Sequence, residues 1–207
     1  EIGSGLVGSE MCIRDSHNVV CGCDEAGRGP LAGDVFAAAV IFDKDTVIEG
    51  INDSKKLTAK KREELFDEIM EKAVDFSIQT ATVEEIEDIN ILNAAMLAMK
   101  RAVEDMDTKP DVCLIDGNKT PEGLECPAIA VVKGDAKSQA VAAASILAKV
   151  ARDRYMEQMA EQYPEYRFEK HKGYGTKLHY EMIDQYGPCG IHRMSFLKKY
   201  YAKKNGH

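Results

Sequence analysis

The sequence predicts an α/β domain in which a mixed five-stranded sheet carries helices on both faces and a helical segment follows near the C-terminus. Two patterns support this class. Short apolar runs come first as a meander and then alternate with stretches of helical periodicity, an order typical of a mixed sheet covered on both sides. Neither an internal repeat nor a long linker divides the 207 residues, of which 44% are hydrophobic, so one domain is expected.

Five segments have the apolar or alternating pattern of strands. They are residues 19–24, 33–42, 74–81, 112–116 and 127–132. The second segment, GDVFAAAVIF, follows the first after a glycine-rich turn, and we expect the two to pair antiparallel.

Helical periodicity and helix-capping residues predict the helices. Thr58 caps a helix that ends near Ala73, and Thr82 with Glu85 forms a capping box that opens a helix as far as about Met106. We expect its apolar stripe to lie in the core: Ile86, Ile89, Leu92, Met96, Met99 and Val103. An alanine-rich helix over residues 136–162 and a short one over 176–186 follow, separated by a loop and closed by a lysine-rich tail.

Composition limits the classes of protein that fit. No apolar run has membrane-spanning length, and the six cysteines form no C-x-x-C pair, so we expect a soluble cytoplasmic protein without zinc or disulfides. The net charge of −8 does not exclude a nucleic-acid ligand, because total charge reports on solubility rather than on a local surface. The basic residues are also grouped, near positions 55–62, 133–137 and 170–177.

The end of the first strand carries the strongest chemical signal. Asp24 and Glu25 enter a turn that contains Gly27, Arg28 and Gly29. Glycines let a ligand approach the main chain, and an arginine fork matches a phosphate. Carboxylates that can bind metal beside such a turn favour phosphoryl-transfer chemistry.

Two further acids follow later strands. Asp116 ends the fourth strand, where a turn former is equally typical, and Asp135 precedes the long helix, where an N-cap is the usual role. Strand ends are where open sheets place their sites, so these acids can converge with Asp24 and Glu25. Asp153 is a competing acid that we expect to be an ion-pair partner within the helix.

A series of motifs, in order along the chain, resembles ribonuclease HII. The matching strings are DEAGRGPLAG, NDSKKLT, LIDGN, VKGD, AAASILAKVARDRYM, HKGYGT and HRMSF, from about Val19 to Phe196. The resemblance implies a ribonuclease-H-like fold. It also implies an endonuclease that cuts the RNA strand of RNA–DNA hybrids and nicks duplex DNA at embedded ribonucleotides.

The resemblance also assigns roles to individual residues. Asp24, Glu25, Asp116 and Asp135 are implied to hold two divalent ions, and their all-oxygen ligation suits Mn²⁺ or Mg²⁺. The family's substrate contacts fall here on a ribonucleotide-sensing turn, a sugar-packing tyrosine and phosphate-binding residues. They are Gly27, Arg28 and Gly29; Tyr174; and Asn52, Ser54, Lys55, Lys170 and Lys172.

The ends of the chain carry weaker signals. Residues 1–16 match nothing in the family, and we expect a disordered extension or a segment left by cloning or sequence assembly. Residues 17–207 then form the catalytic domain, with its C-terminal helical segment from about residue 163, acting as a monomer away from membranes. His192 and Arg193 either support the site or only anchor this segment.

Three alternatives fit parts of the pattern. Another two-metal nuclease or strand transferase of the same fold predicts the clustered acids but neither GRG nor KGYGT. A non-catalytic hybrid-binding module predicts no need for the acids, and a nucleotide-binding domain requires a G-x-G-x-x-G or G-K-[ST] motif after the first strand, which is missing there.

Overall fold

A computed structural model describes residues 13, 16–51 and 57–205. Its centre is one five-stranded sheet with the strand order β3-β2-β1-β4-β5. β1 pairs antiparallel with β2 and parallel with β4, so the sheet is mixed, as expected. The strands are β1 (Val20–Ala26), β2 (Val35–Ile41), β3 (Asp75–Ala81), β4 (Val112–Asp116) and β5 (Ala128–Val131).

Helices connect and cover these strands. In the described residues they are α1 (Ala59–Lys72), α2 (Val83–Glu104), α3 (Gln139–Gln162), α4 (Phe168–His171), α5 (Lys177–Tyr186) and α6 (Met194–Asn205). Thr58 and Thr176 cap α1 and α5 through their side chains, and Thr82 with Glu85 forms the expected capping box on α2. None of the described helices is long and apolar enough to cross a lipid bilayer.

Three expected boundaries were wrong. β1 continues through Ala26, so Asp24 and Glu25 lie within the strand rather than at its last position. The long helix begins at Gln139 because Ser138 is its N-cap, and a 3₁₀ turn over Gly134–Ala136 precedes it. The segment expected as a loop after this helix contains the 3₁₀ turn Pro164–Tyr166 and α4. The C-terminal helical segment expected from about residue 163 is confirmed, and α6 lies in the lysine-rich tail.

Each face of the sheet has its own core. On one face the buried residues of β1, β2 and β4, including Cys21, Cys23 and Cys113, pack against α2. On the other face Ala38 and Val40 of β2 pack against α1 and the alanine-rich part of α3. The alternation of a strand's side chains between the two faces places every second residue in each core.

The apolar stripe of α2 is interrupted at Asn90. This residue has non-helical backbone angles (φ 68°, ψ 163°), and its side-chain oxygen accepts hydrogen bonds from the amides of Leu92 and Asn93. Asn90 therefore acts as an internal cap, and the second half of α2 buries a partly different face. Ile86, Met99 and Val103 are buried as expected, but Leu92 is only half-buried, and four alanines join the core: Ala94, Ala95, Ala98 and Ala102.

The close approach of α3 to β1 positions the site. A Cβ atom added to Gly22 would lie 2.2 Å from the carbonyl carbon of Ala140, so only glycine permits this contact. Alanines at 140, 142, 143 and 144 are fully buried and keep the helix against the sheet. Residues one and two turns further along α3 therefore face the end of β1.

Candidate active site

The carboxylates of Asp24, Glu25 and Asp116 line one cavity at the end of β1 and β4. β1 and β4 are parallel, which brings Asp24 and Asp116 to the same edge of the sheet. The cavity has a volume of about 460 Å³. Of the described residues, nine line it: Asp24, Glu25, Ala26, Gly27, Arg62, Asp116, Ser145, Lys149 and Tyr174. A larger cavity of about 580 Å³ lies at the opposite end of the sheet and contains none of the expected site residues.

Asp24 is the most strongly perturbed carboxyl group of this cavity. Its side chain is buried, and burial raises its pKa well above the usual value. The charges of Glu25 and Asp116 raise it further, while hydrogen bonds from Ser145 and from the Glu25 amide, at 2.7 Å, oppose the shift. Asp24 thus lies in a site where negative charge is unfavourable until a cation neutralises it.

Asp116 and Asp135 are connected through one backbone amide. The N–H of Gly134 donates to Oδ1 of Asp116 over 2.7 Å, which places the 3₁₀ turn carrying Asp135 against the end of β4. Asp135 is buried but is not among the cavity-lining residues. It is not the N-cap of the long helix either, because Ser138 takes that position.

The buried side chain of Arg193 supports the glycine-rich turn after β1 from the protein interior. Its guanidinium group, which is fully buried, donates five hydrogen bonds of 2.6–3.1 Å to four backbone carbonyls. The acceptors are the carbonyls of Gly27, Arg28, Pro30 and Gly33. These carbonyls therefore point into the protein. Arg193 thus supports the site, which the sequence alone left open.

A second buried arginine, Arg152, joins this turn to the segment that carries Tyr174. It donates to the carbonyls of Ala32, Asp34 and Lys172, at 3.0–3.1 Å. A Cβ atom on Gly27, whose φ is 101°, would lie 2.2 Å from Nε of Arg152, so the turn requires glycine at this position.

Tyr174 and the turn are close to each other. Tyr174 is 42% exposed and lines the cavity, and its ring lies 3.7 Å from the position a Cβ atom on Gly29 would take. The Leu31 amide also donates to the Gly173 carbonyl over 2.8 Å. The structure therefore brings Gly27 and Tyr174 to the cavity of the three carboxylates, whereas Gly29 lies beside Tyr174 without lining the cavity. The exposed Arg28 pairs with Glu25 at 3.2 Å.

The phosphate-contacting residues are placed less uniformly. Asn52, Ser54 and Lys55 lie outside the described residues. Lys170 is exposed on α4, whereas Lys172 forms an ion pair of 2.7 Å with Glu157.

Cationic groups that the sequence analysis did not single out lie nearer to the acids. Arg62 and Lys149 line the cavity, and Lys149 pairs with Asp153 at 2.6 Å, which confirms the ion-pair role expected for Asp153. The spacing of Ser145, Lys149 and Arg152, at i, i+4 and i+7 on one helix, is the signal that could have found Lys149.

Comparison with known proteins matches this arrangement to one family. The family model for ribonuclease HII matches residues 21–199. The ribonuclease HII of Caldicellulosiruptor saccharolyticus is 54% identical over 189 residues, which cover 91% of this chain and 92% of the relative. The ribonuclease HII of Idiomarina loihiensis is 59% identical over 178 residues, 86% of this chain and 95% of the relative.

Solved structures agree with the fold. The ribonuclease H2 of Pyrococcus horikoshii superimposes with a TM-score of 0.75 at 29% identity, covering 91% of this chain and all of that chain. A ribonuclease HII of Archaeoglobus fulgidus, solved in complex with PCNA, gives a TM-score of 0.69 at 27% identity, covering 85% and 94%. The five-stranded mixed sheet with its helices is thus the ribonuclease-H-like fold. With its sequence match, its fold and its acidic cavity in agreement, this chain belongs to the ribonuclease HII family, metal-dependent endoribonucleases that hydrolyse the RNA strand of RNA–DNA hybrids.

Proposed function

We propose that this enzyme also nicks duplex DNA at single embedded ribonucleotides and thereby serves the removal of ribonucleotides from DNA. The observation that supports this most directly is the shared cavity: Asp24, Glu25 and Asp116 line it together with Gly27 and Tyr174. A site that must detect one 2′-hydroxyl group in a DNA duplex needs a sugar-contacting surface next to the catalytic carboxylates. The turn and the tyrosine supply that surface within the same cavity.

We propose Asp24, Glu25, Asp116 and Asp135 as the ligands of two Mn²⁺ or Mg²⁺ ions. Enzymes of the ribonuclease H type need a divalent metal. The donor set fits such ions, because it consists of carboxylate oxygens. In addition, burial and the charges of Glu25 and Asp116 disfavour the ionised form of Asp24, which a bound cation would stabilise. Among the described residues, no three acidic, histidine or cysteine side chains form a ready-made metal site. Ions held by these carboxylates would supply activation of the attacking water and stabilisation of charge on the leaving oxygen.

The remaining residues bind and orient the substrate. We propose that the turn over residues 27–29 contacts the ribonucleotide and that the Tyr174 ring packs on the neighbouring sugar. Arg62 and Lys149 stand at the cavity with the acids, so their charges can attract the scissile phosphate, with Lys170 and Lys172 further out. Asn52, Ser54 and Lys55 are proposed as phosphate contacts from the resemblance alone.

Cleavage of a DNA duplex carrying one ribonucleotide tests this function. An all-DNA duplex of the same sequence is the control, and both are incubated with and without Mn²⁺ or Mg²⁺. We expect one nick at the ribonucleotide, only with metal, leaving 3′-hydroxyl and 5′-phosphate ends. Cutting of the all-DNA duplex at a similar rate would favour a general nuclease of the same fold instead. Binding without cutting in either metal would favour a non-catalytic hybrid-binding module.

Tyr174→Ala separates sugar recognition from the chemistry. The change touches none of the four acids, so metal-dependent cleavage should survive. A stacking contact is worth about 1–3 kcal/mol, which limits the loss in kcat/KM on the single-ribonucleotide duplex to roughly a hundredfold. A continuous hybrid should lose less, since it presents a ribose at that position. Equal losses on both substrates would remove the sugar-reading role from Tyr174.

We also propose a monomeric cytoplasmic enzyme. No described helix can cross a membrane, and the cysteines of the described residues are free thiols, which suits a reducing compartment. Light scattering at micromolar concentration tests the first part, and fractionation of cells that express the protein tests the second.

A further inference from the structure

Three histidines form a buried cluster next to the backbone turn that carries Tyr174. His171, His179 and His192 have relative exposures of 7%, 0% and 3%, and they come from α4, from α5 and from the loop before α6. The rings of His171 and His179 stack with centroids 4.3 Å apart, and Nε2 of His179 lies 3.0 Å from Nε2 of His192. No charged residue hydrogen-bonds to any of these rings among the described residues, so their arrangement is not that of a salt bridge or a catalytic base.

The hydrogen bonds fix one proton position on His192 and His179. The Cys189 amide donates to Nδ1 of His192 over 2.9 Å, so the proton of the neutral His192 ring is on Nε2. That proton points at Nε2 of His179, which must then be an acceptor. The proton of His179 is therefore on Nδ1, 2.9 Å from the Tyr174 carbonyl that accepts it.

His171 is fixed in the same way. The Gly173 amide donates to its Nδ1 over 3.2 Å, so its proton is on Nε2 and is donated to the Tyr166 carbonyl over 2.9 Å. The Tyr174 amide in turn donates to the His171 carbonyl. The backbone turn that carries Tyr174 therefore hydrogen-bonds to two histidine rings, through the Gly173 amide to His171 and through the Tyr174 carbonyl to His179. The rings of His179 and His192 must be neutral, because an added proton on either would place two N–H groups face to face.

We infer that the relay Cys189–His192–His179 positions Tyr174 for substrate recognition, with each ring held in one neutral tautomer. The relay ends on the backbone carbonyl of the residue whose side chain lines the active-site cavity. The functional part of this inference rests on the proposed role of Tyr174, whereas the tautomers do not. His179 and His192 are positioning residues, since neither lines the cavity.

The groups around the cluster agree with neutral rings. Tyr166 packs its ring on His192, and the thiol of Cys189 lies 3.1 Å from Nδ1 of His192. Burial lowers the pKa of His171, and the charge of Glu169 opposes this shift without outweighing it. After burial, the charge of Glu165 contributes to the raised pKa of Tyr166 and of Cys189, and the guanidinium group of Arg193 faces the glycine-rich turn. Burial then lowers the pKa of His179 and of His192 to about 4.

The tautomers are directly measurable without any activity. Long-range ¹H–¹⁵N spectra of the uniformly labelled full chain at pH 7 should show His179 protonated on Nδ1, and His171 and His192 protonated on Nε2. These signals should stay unchanged down to pH 5. A charged ring in this range, or the opposite tautomer on His179 or His192, would overturn the relay.

The functional part needs a double-mutant comparison. His179→Phe keeps the ring volume and removes the donor to the Tyr174 carbonyl. We expect His179→Phe to lower kcat/KM on the single-ribonucleotide duplex roughly tenfold, and by no more than Tyr174→Ala does. His179→Asn should recover part of this loss, because its amide can donate from the position of Nδ1. In the Tyr174→Ala background, His179→Phe should cause no further loss.

Tyr166→Phe is the matched control. It removes a hydrogen bond of 2.6 Å to the Gly187 carbonyl within the same packed region but leaves the relay intact, so kcat/KM should stay within about twofold of the parent. Multiplicative losses in the double variant would show a general structural role for His179 and overturn the inference. If the parent enzyme cuts no ribonucleotide-containing duplex, the proposed function fails instead, while the tautomers can still be confirmed.

Discussion

Replacement of Arg193 by methionine tests the buried support of the glycine-rich turn. The guanidinium group donates five hydrogen bonds to four carbonyls, and hydrogen bonds from charged donors are worth about 1.5–3 kcal/mol each. The full sum is not lost. Burial and the positive charge of Arg152 lower the pKa of Arg193 to about 9, which shows that its charge is unfavourable there, and carbonyls near the surface regain water. We expect the free energy of unfolding to fall by about 3–5 kcal/mol, as for one partner removed from a buried network.

Urea unfolding followed by circular dichroism at 222 nm measures this loss, because the chain has no tryptophan for fluorescence. Arg193→Lys keeps the charge but replaces a planar fork by one ammonium group, so it should lose about half as much. Arg101→Met is the matched control: Arg101 also donates to a carbonyl, that of Thr80, and pairs with Glu85, but on the surface. Its cost should stay below about 1.5 kcal/mol.

The turn should lose function together with stability. At low temperature, in a sample of Arg193→Lys that circular dichroism shows to be folded, we expect kcat/KM on a single-ribonucleotide duplex to fall more than on a continuous hybrid, since the carboxylates are untouched. Unfolding of Arg193→Met at the same urea concentration as Arg101→Met would contradict a structural role for Arg193 in the turn. An equal loss of cleavage on both substrates in Arg193→Lys would contradict its role in ribonucleotide recognition.

Three further predictions follow from packing, burial and charge. Gly22→Ala should lower the free energy of unfolding by about 3 kcal/mol or more in urea titrations, because the new Cβ atom would meet the backbone of Ala140 at 2.2 Å. His179 and His192 have folded-state pKa values of about 4, below the ordinary 6.5, so the unfolded chain binds more protons on acidification. Their contribution to stability is therefore fully present above about pH 6.5 and should fall towards pH 4, by as much as about 3 kcal/mol per histidine. Chemical unfolding at stepped pH measures this loss. Hybrid binding, measured by fluorescence anisotropy, should weaken steeply as salt rises from about 50 to about 200 mM, because each of several phosphate contacts releases counterions. This is expected despite the net charge of −8. A flat salt dependence would exclude the basic groups as phosphate contacts.

The sequence predicted the sheet and the position of the first carboxylates well. Both signals are local: apolar runs report strands, and Asp24 and Glu25 stand directly beside the turn that they serve. Because β1 and β4 are parallel, the two strand ends meet at one edge, and the expected meeting of Asp116 with Asp24 in one cavity was confirmed.

Long-range supports were beyond the sequence. Arg193 is 160 residues from Gly33, whose carbonyl it binds, and no local pattern reports such a pairing. The kink at Asn90 was missed because a side chain capping its own backbone looks like any polar residue on a helix surface. The start of the long helix was misplaced because an aspartate and a serine both make good caps; in the structure the Ser138 side chain accepts from the Val141 amide, while Asp135 lies in a turn that is hydrogen-bonded to Asp116.

We propose that the carboxylates near the end of β1 hold the metal ions required for cleavage at the ribonucleotide. Asp24→Asn probes this role, since the amide keeps the shape of the side chain and removes its charge. Cleavage of the single-ribonucleotide duplex is measured in Mn²⁺ and in Mg²⁺, with circular dichroism as the check on folding. We predict a loss of several orders of magnitude in both metals, in a protein at least as stable as its parent because burial and neighbouring acids disfavour the Asp24 charge. Metal-dependent cleavage at a rate near that of the parent would contradict the account.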